Sequence, residues 1–231
     1  MESTLVTSVL ALLELVLPVV VVIVAVNWVA GRGQRARARG FMALSEGRIV
    51  DALEAFTLCQ DRLVLTGRAK LWLWRLPDAL EDLQHALHLD PARFRDTAEP
   101  LVALVHALWA PRLAYASGHL VEGQEPRLAR AAHAARARKW PVVVQALEPL
   151  QVTDNPRAAA LRDVLLAWAR TELDGVTRPI DGAAVLGEGA ITAFDEGFPA
   201  LAKILRDGQV AQSTVTAPPQ DPTRTPSHSG A

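Results

Sequence analysis

The chain has 231 residues, of which 50% are hydrophobic, 21% charged and 5% aromatic, and a formal net charge of −1. That near-neutral balance carries no global basic bias towards nucleic acid, and the length beyond the first thirty residues is enough for one domain with a real core. The single cysteine, Cys59, excludes an internal disulfide and any cysteine-only metal site.

Residues 5–30 read LVTSVLALLELVLPVVVVIVAVNWVA, with one charge, Glu14, and one proline, Pro18. A run of about twenty apolar residues is long enough to span a hydrocarbon core as a helix, and in lipid only a helix satisfies its own backbone groups within one segment. Trp28 suits a headgroup interface. A cleaved signal peptide would need a basic n-region, and only Met1 to Thr4, with Glu2, precede the run. The segment is therefore expected to be a single transmembrane helix. Arg32, Arg35, Arg37 and Arg39 follow it with no acid among them. Cationic flanks stay on the cytoplasmic side, so the expectation is an N-terminus outside, a soluble domain in the cytoplasm, and these four arginines at the membrane surface. Glu14 is read as lying near the outer interface. The alternative is an intramembrane polar contact with another subunit.

From Gly31 to about Ile204 helix formers alternate with short breakers. Helices are expected over Gln34–Glu46, Arg48–Gln60, Leu63–Arg75, Pro77–Leu89, Asp96–Tyr115, Arg127–Lys139, Pro141–Leu150, Pro156–Leu173 and Ala190–Arg206. Pro77, Pro141 and Pro156 stand where a first helical turn accepts proline. Pro100 and Pro111 are expected to split or kink the fifth helix. Leu161, Val164, Leu165 and Trp168 form an apolar stripe at helical spacing. No stretch alternates as a strand, so the class is all-α. Residues 175–189 are expected to be a loop or small hairpin. Residues 209–231, rich in Pro, Ser, Thr and Gln, are expected to be a disordered tail.

Internal periodicity appears between residues 40 and 92. In one stretch Gly40, Gly47, Ala52, Phe56 and Cys59 fall at fixed offsets. In the next Gly67, Ala79, Leu83 and Ala86 stand 27 residues on from Gly40, Ala52, Phe56 and Cys59, and Pro91 follows five residues after Ala86. This pattern resembles the tetratricopeptide repeat, although Trp74 stands where the turn glycine is usual and the spacing is shorter than the family's. Small residues at these offsets allow the two helices of a hairpin to approach closely. The resemblance implies residues 31–93 as repeats and 94–208 as further helices of the same domain. It also implies a groove for another protein lined by Arg37, Phe41, Leu44, Arg68, Leu71 and Trp72, a mixture of arginine and large apolar side chains common at binding hot spots.

No phosphate loop, metalloprotease motif or nucleophile elbow is present, so no enzyme, cofactor or metal site is expected. His85 and His88 share a helix face without further ligands. Arg127, Arg130, Arg136, Arg138 and Lys139 form a basic helix without a nucleic-acid motif, and no nucleic-acid partner is expected. The functional expectation is a membrane-anchored, cytoplasm-facing helical-repeat adaptor or scaffold. The alternative is a structural subunit assembled through its transmembrane helix. The partner's identity and the oligomeric state stay open.

Overall fold

The computed structural model describes residues 2–109, 123–176, 178 and 182–216. Among the described residues the elements are ten helices: α1 (Glu2–Ser45), α2 (Ile49–Phe56), α3 (Arg62–Trp72), α4 (Leu76–Leu89), α5 (Pro91–Leu108), α6 (Gln124–Arg136), α7 (Trp140–Leu147), α8 (Pro156–Asp174), α9 (Ala183–Gly197) and α10 (Pro199–Thr216). No strand occurs among the described residues. Each helix packs on the next in sequence, and α3 also meets α5 while α6 meets α8. Neighbour-on-neighbour stacking of this kind is the contact pattern of a helical repeat.

Three hairpins share one turn. Gly47 (φ 76°), Trp74 (φ 63°) and Arg138 (φ 53°) take the left-handed conformation between α1 and α2, α3 and α4, and α6 and α7. Each turn donates the same pair of backbone bonds. Gly47 N reaches Leu44 O (3.0 Å) and Arg48 N reaches Ala43 O (2.8 Å); Trp74 N reaches Leu71 O and Arg75 N reaches Lys70 O (both 3.0 Å). Arg138 N reaches Ala135 O (3.0 Å) and Lys139 N reaches Ala134 O (2.8 Å). These bonds satisfy carbonyls that a helix end leaves free. The basic residue that follows, Arg48, Arg75 or Lys139, has φ between −83° and −90° and ψ between 65° and 68° each time.

The small residues explain why the hairpins close. A Cβ on Gly40 would lie 2.2 Å from the Phe56 ring, and one on Gly67 would lie 2.8 Å from Leu83. Ala131 and Leu147 stand at the corresponding positions of the third hairpin, and both are fully buried. Ala52, Ala79 and Val143 are likewise fully buried on the second helix of each pair. The structure thus has repeat-like packing in three copies. Between the second and third lies α5, packed on both α4 and α6, so the copies are not evenly spaced along the chain.

The rest of the chain folds back on the first two hairpins. Asn155 is buried and caps α8, accepting from Arg157 N (3.0 Å) and Ala158 N (3.4 Å). Pro156 lies under Gly47, and the Arg157 guanidinium donates to Trp72 O. Trp74 donates Nε1–H to Leu186 O (3.0 Å) and meets Phe194 edge-on at 5.2 Å. One continuous core therefore joins residues 31–93 to residues 94–208.

The expectation of a transmembrane helix over residues 5–30 is corrected. Among the described residues no helix is long and apolar enough to cross a membrane. α1 does not end near Ala30 as an anchor would. It runs unbroken to Ser45, and Ala36, Gly40, Ala43 and Leu44 on it belong to the domain core. The orientation inferred from Arg32 to Arg39 rested on that span. Glu14 lies within α1, and its side chain is outside the described residues.

Other boundaries also move. α5 begins at Pro91, five residues before the expected start, because Asp90 caps it by accepting from Arg93 N (3.1 Å). The helix continues through Pro100 instead of splitting there, and Pro111 lies outside the described residues. The last expected helix is two helices: Phe198 separates α9 from α10. α9 starts at Ala183, inside the expected loop, with Gly187 (φ 74°) as an internal break. α10 extends to Thr216, into the expected tail, whose residues 217–231 are not described.

A candidate interaction cleft between α1, α3 and α5

A cleft of about 370 Å³ opens between α1, α3, α5 and the start of α6. Its floor is apolar: Val64 and Leu65 of α3 and Leu101 of α5 are buried there. Two half-buried aromatic rings, Phe41 on α1 and Phe94 on α5, contribute to its lining. Three arginines accompany them. Arg37 and Arg68 both lie over the Phe41 ring, at 5.8 Å and 5.9 Å from its centre, and Arg93 lies over Phe94 at 5.1 Å. Stacking on a ring holds a guanidinium in place while leaving its N–H edges available.

Two of the three arginines are also ion-paired. Arg37 meets Asp61 at 3.0 Å, and Arg68 pairs with Glu125, joining α3 to α6. The Arg68 and Glu125 side chains retain only 25% and 12% of their exposure, so this pair is a structural tie as well as a lining group. Reversing Arg68 would set two carboxylates together in a half-buried place, and the change would lower stability besides altering the cleft. Arg93 has no ion pair among the described residues and is exposed. Asp96 and Thr97 complete the α5 edge.

The residues expected in the groove divide. Arg37, Phe41 and Arg68 line the cleft. Leu44 (3% exposed), Leu71 and Trp72 (both 0%) are core and are corrected to that role. The reason is angular: on α1, Leu44 lies closer than Phe41 to the Gly40 face that packs on α2, and on α3 Leu71 sits one turn from Gly67. Of the arginines assigned to a membrane surface, Arg32, Arg35 and Arg39 are exposed, and Arg32 covers the Trp28 ring at 5.3 Å. Arg37 turns to the cleft. The sequence reading missed Arg93, Phe94, Asp96, Thr97, Leu101 and Glu125, because α5 was started too late to be recognised as the next cleft-lining helix. The signal was present in Asp90-Pro91, a capping residue followed by proline at the first helical position.

Other candidate groups resolve into structure. His85 and His88 are exposed, and no group of three potential metal ligands occurs among the described residues. On the basic helix Arg136 turns inward, donates Nε–H to Ala107 O at 2.5 Å and stacks on Phe198 at 4.1 Å. Burial lowers its pKa to about 10. Trp72, Trp74 and Trp168 are core, while Trp109 and Trp140 pack at its margin. Cys59 is buried, and desolvation raises its thiol pKa, as expected of a small apolar core residue and not a nucleophile.

No protein-family model, curated protein or solved structure matches the chain.

Proposed function

We propose that the chain is a helical-repeat adaptor of tetratricopeptide type that binds another protein through the cleft between α1, α3 and α5. The observation that carries this reading is the cleft's lining. An apolar floor, two half-buried phenyl rings and three ring-stacked arginines sit on rigid helices, not on loops. Aromatic and arginine side chains held in place lose little entropy on binding and dominate interface energetics. The mixture of paired and unpaired charges suits a polypeptide segment with an apolar anchor and polar flanks. The reading further holds that the chain acts by binding and not by catalysis.

Arg93 and Phe94 are the residues to change, because Arg93 is exposed and makes no ion pair among the described residues. Arg93→Glu, introduced into the full chain, is expected to leave helicity and the melting temperature close to wild type, and Phe94→Ala to leave helicity intact while lowering the melting temperature through lost packing. Each should weaken capture of proteins that co-purify with the wild-type chain, by about tenfold or more. Undiminished capture by both variants would remove the cleft as the binding surface.

A further inference from the structure

We propose that α1 docks on an anionic lipid surface through the stripe that runs from Val21 to Arg39. At 3.6 residues per turn, Val21, Val24, Trp28, Arg32, Arg35 and Arg39 fall within about 80° of one another around the helix. All six are exposed, with Val21 at 57%, Val24 at 60% and Trp28 at 58%. Along one helix face the chemistry thus passes from aliphatic to aromatic to cationic. Arg32 lies over the Trp28 ring at 5.3 Å, at the point where the apolar part gives way to the charged part. Between Glu14 and Glu46 the sequence has four arginines and no acid. One of them, Arg37, lies on the opposite side of α1, where it pairs with Asp61 and lines the cleft. Arg32, Arg35 and Arg39 make no ion pair among the described residues. Arg39 borders a groove that also holds Asp51 and Glu54, so Arg32 and Arg35 carry the charge that no acid offsets.

Charge of one sign calls for an anionic partner, and the valines decide which kind. Val19, Val20, Val22 and Val26 are exposed as well as Val21 and Val24, and at 100° per residue these six point to every side of the helix. A groove on another protein takes up one face of a helix, and a polyanion such as a nucleic acid offers valine nothing. A lipid phase encloses an apolar helix on all sides. It also places an indole at the level of its headgroups and draws arginines that lie close by to its anionic groups. The contact requires no crossing of the bilayer. It is independent of the cleft, which opens on the other side of α1 at Arg37 and Phe41.

The test mixes the full chain with vesicles of phosphatidylcholine, with and without phosphatidylserine, and measures the pelleted fraction. The wild-type chain should bind the vesicles that contain phosphatidylserine at least about tenfold more tightly, and added salt should remove the difference. Arg32→Glu with Arg35→Glu changes two exposed, unpaired side chains, so circular dichroism should match wild type while the preference for phosphatidylserine is lost. Val21→Asp with Val24→Asp should weaken binding to both kinds of vesicle by about tenfold or more. Failure to bind vesicles with phosphatidylserine, equal binding to both kinds, or a preference that survives in the arginine variant would overturn the proposal. So would vesicle binding that the valine variant leaves unchanged, or self-association without lipid that the valine variant abolishes, which would assign the valines to a protein contact. Tighter binding of an oligonucleotide than of the vesicles, lost in the arginine variant, would overturn it in favour of nucleic acid.

Discussion

Gly40 shows how tightly a single atom is specified. Alanine there would put a methyl group 2.2 Å from the Phe56 ring, which is fully buried and has nowhere to turn. Helix propensity alone favours alanine over glycine by about 1 kcal/mol, but overpacking a core costs about 1–3 kcal/mol. Gly40→Ala is therefore expected to destabilise the chain and lower the melting temperature by several degrees. A rise in melting temperature would show that α1 and α2 are not in close contact at this point. His133 gives the pH counterpart. Burial, then Arg136, then His106 hold its pKa below the ordinary histidine value. The unfolded chain thus takes up the proton more readily than the folded one. His133 contributes stability that is fully present above about pH 6.5 and is lost as pH falls through the lowered folded value. The melting temperature of His133→Gln is expected to change less than wild type between about pH 7.5 and 5. Parallel curves would mean that His133 does not titrate against folding.

The hairpin turn is the element on which the repeat depends, and it separates two residues in the same conformation. Arg138 adopts φ 53° with its side chain in solvent, so its left-handed backbone costs roughly 1 kcal/mol with nothing in return. Trp74 adopts φ 63°, but its ring is buried, donates to Leu186 O and packs on Phe194. Arg138→Gly should raise the melting temperature by a few degrees, whereas Trp74→Gly should lower it strongly through the lost packing of a large side chain. If both glycines stabilise, the contact between the first hairpins and α9 is absent in solution. These turns also show what was legible in the sequence. Gly40, Gly67, Ala52, Ala79, Phe56 and Leu83 carry the repeat in their spacing, because close helix contacts demand particular volumes. Trp74 and Arg138 hide the turn, because neither is the glycine that marks a left-handed residue, and so the third hairpin goes unaligned. Arg37, Phe41 and Arg68, which the resemblance implies at a groove, line the cleft. Phe94 and Glu125 were not implied, since tertiary stacking of α5 and α6 brings them there. The apolar run near the N-terminus misleads in another way: hydropathy cannot tell that its helix continues without a break into the core of the domain.

At the scale of the whole molecule the described residues form a stack of helical hairpins with α8 to α10 packed after them. The Phe198 ring between Arg136 and Trp168, 4.1 Å and 6.0 Å away, seals the later helices, while α1, α3 and α5 form the cleft. Helices hold the cleft's aromatic and arginine side chains in place, an arrangement that would lower the ordering cost of the binding proposed for it. That proposal places a protein segment in this cleft. The most direct measurement is site-specific photo-crosslinking in living cells, with a photoreactive residue at Thr97 on the cleft edge and, as the control, at His85 on the exposed face of α4. The account predicts a discrete covalent adduct with another protein from position 97, none from position 85, and loss of the adduct when Arg93→Glu is added. Equal adducts from both positions, or an adduct at 97 that Arg93→Glu leaves untouched, would contradict it.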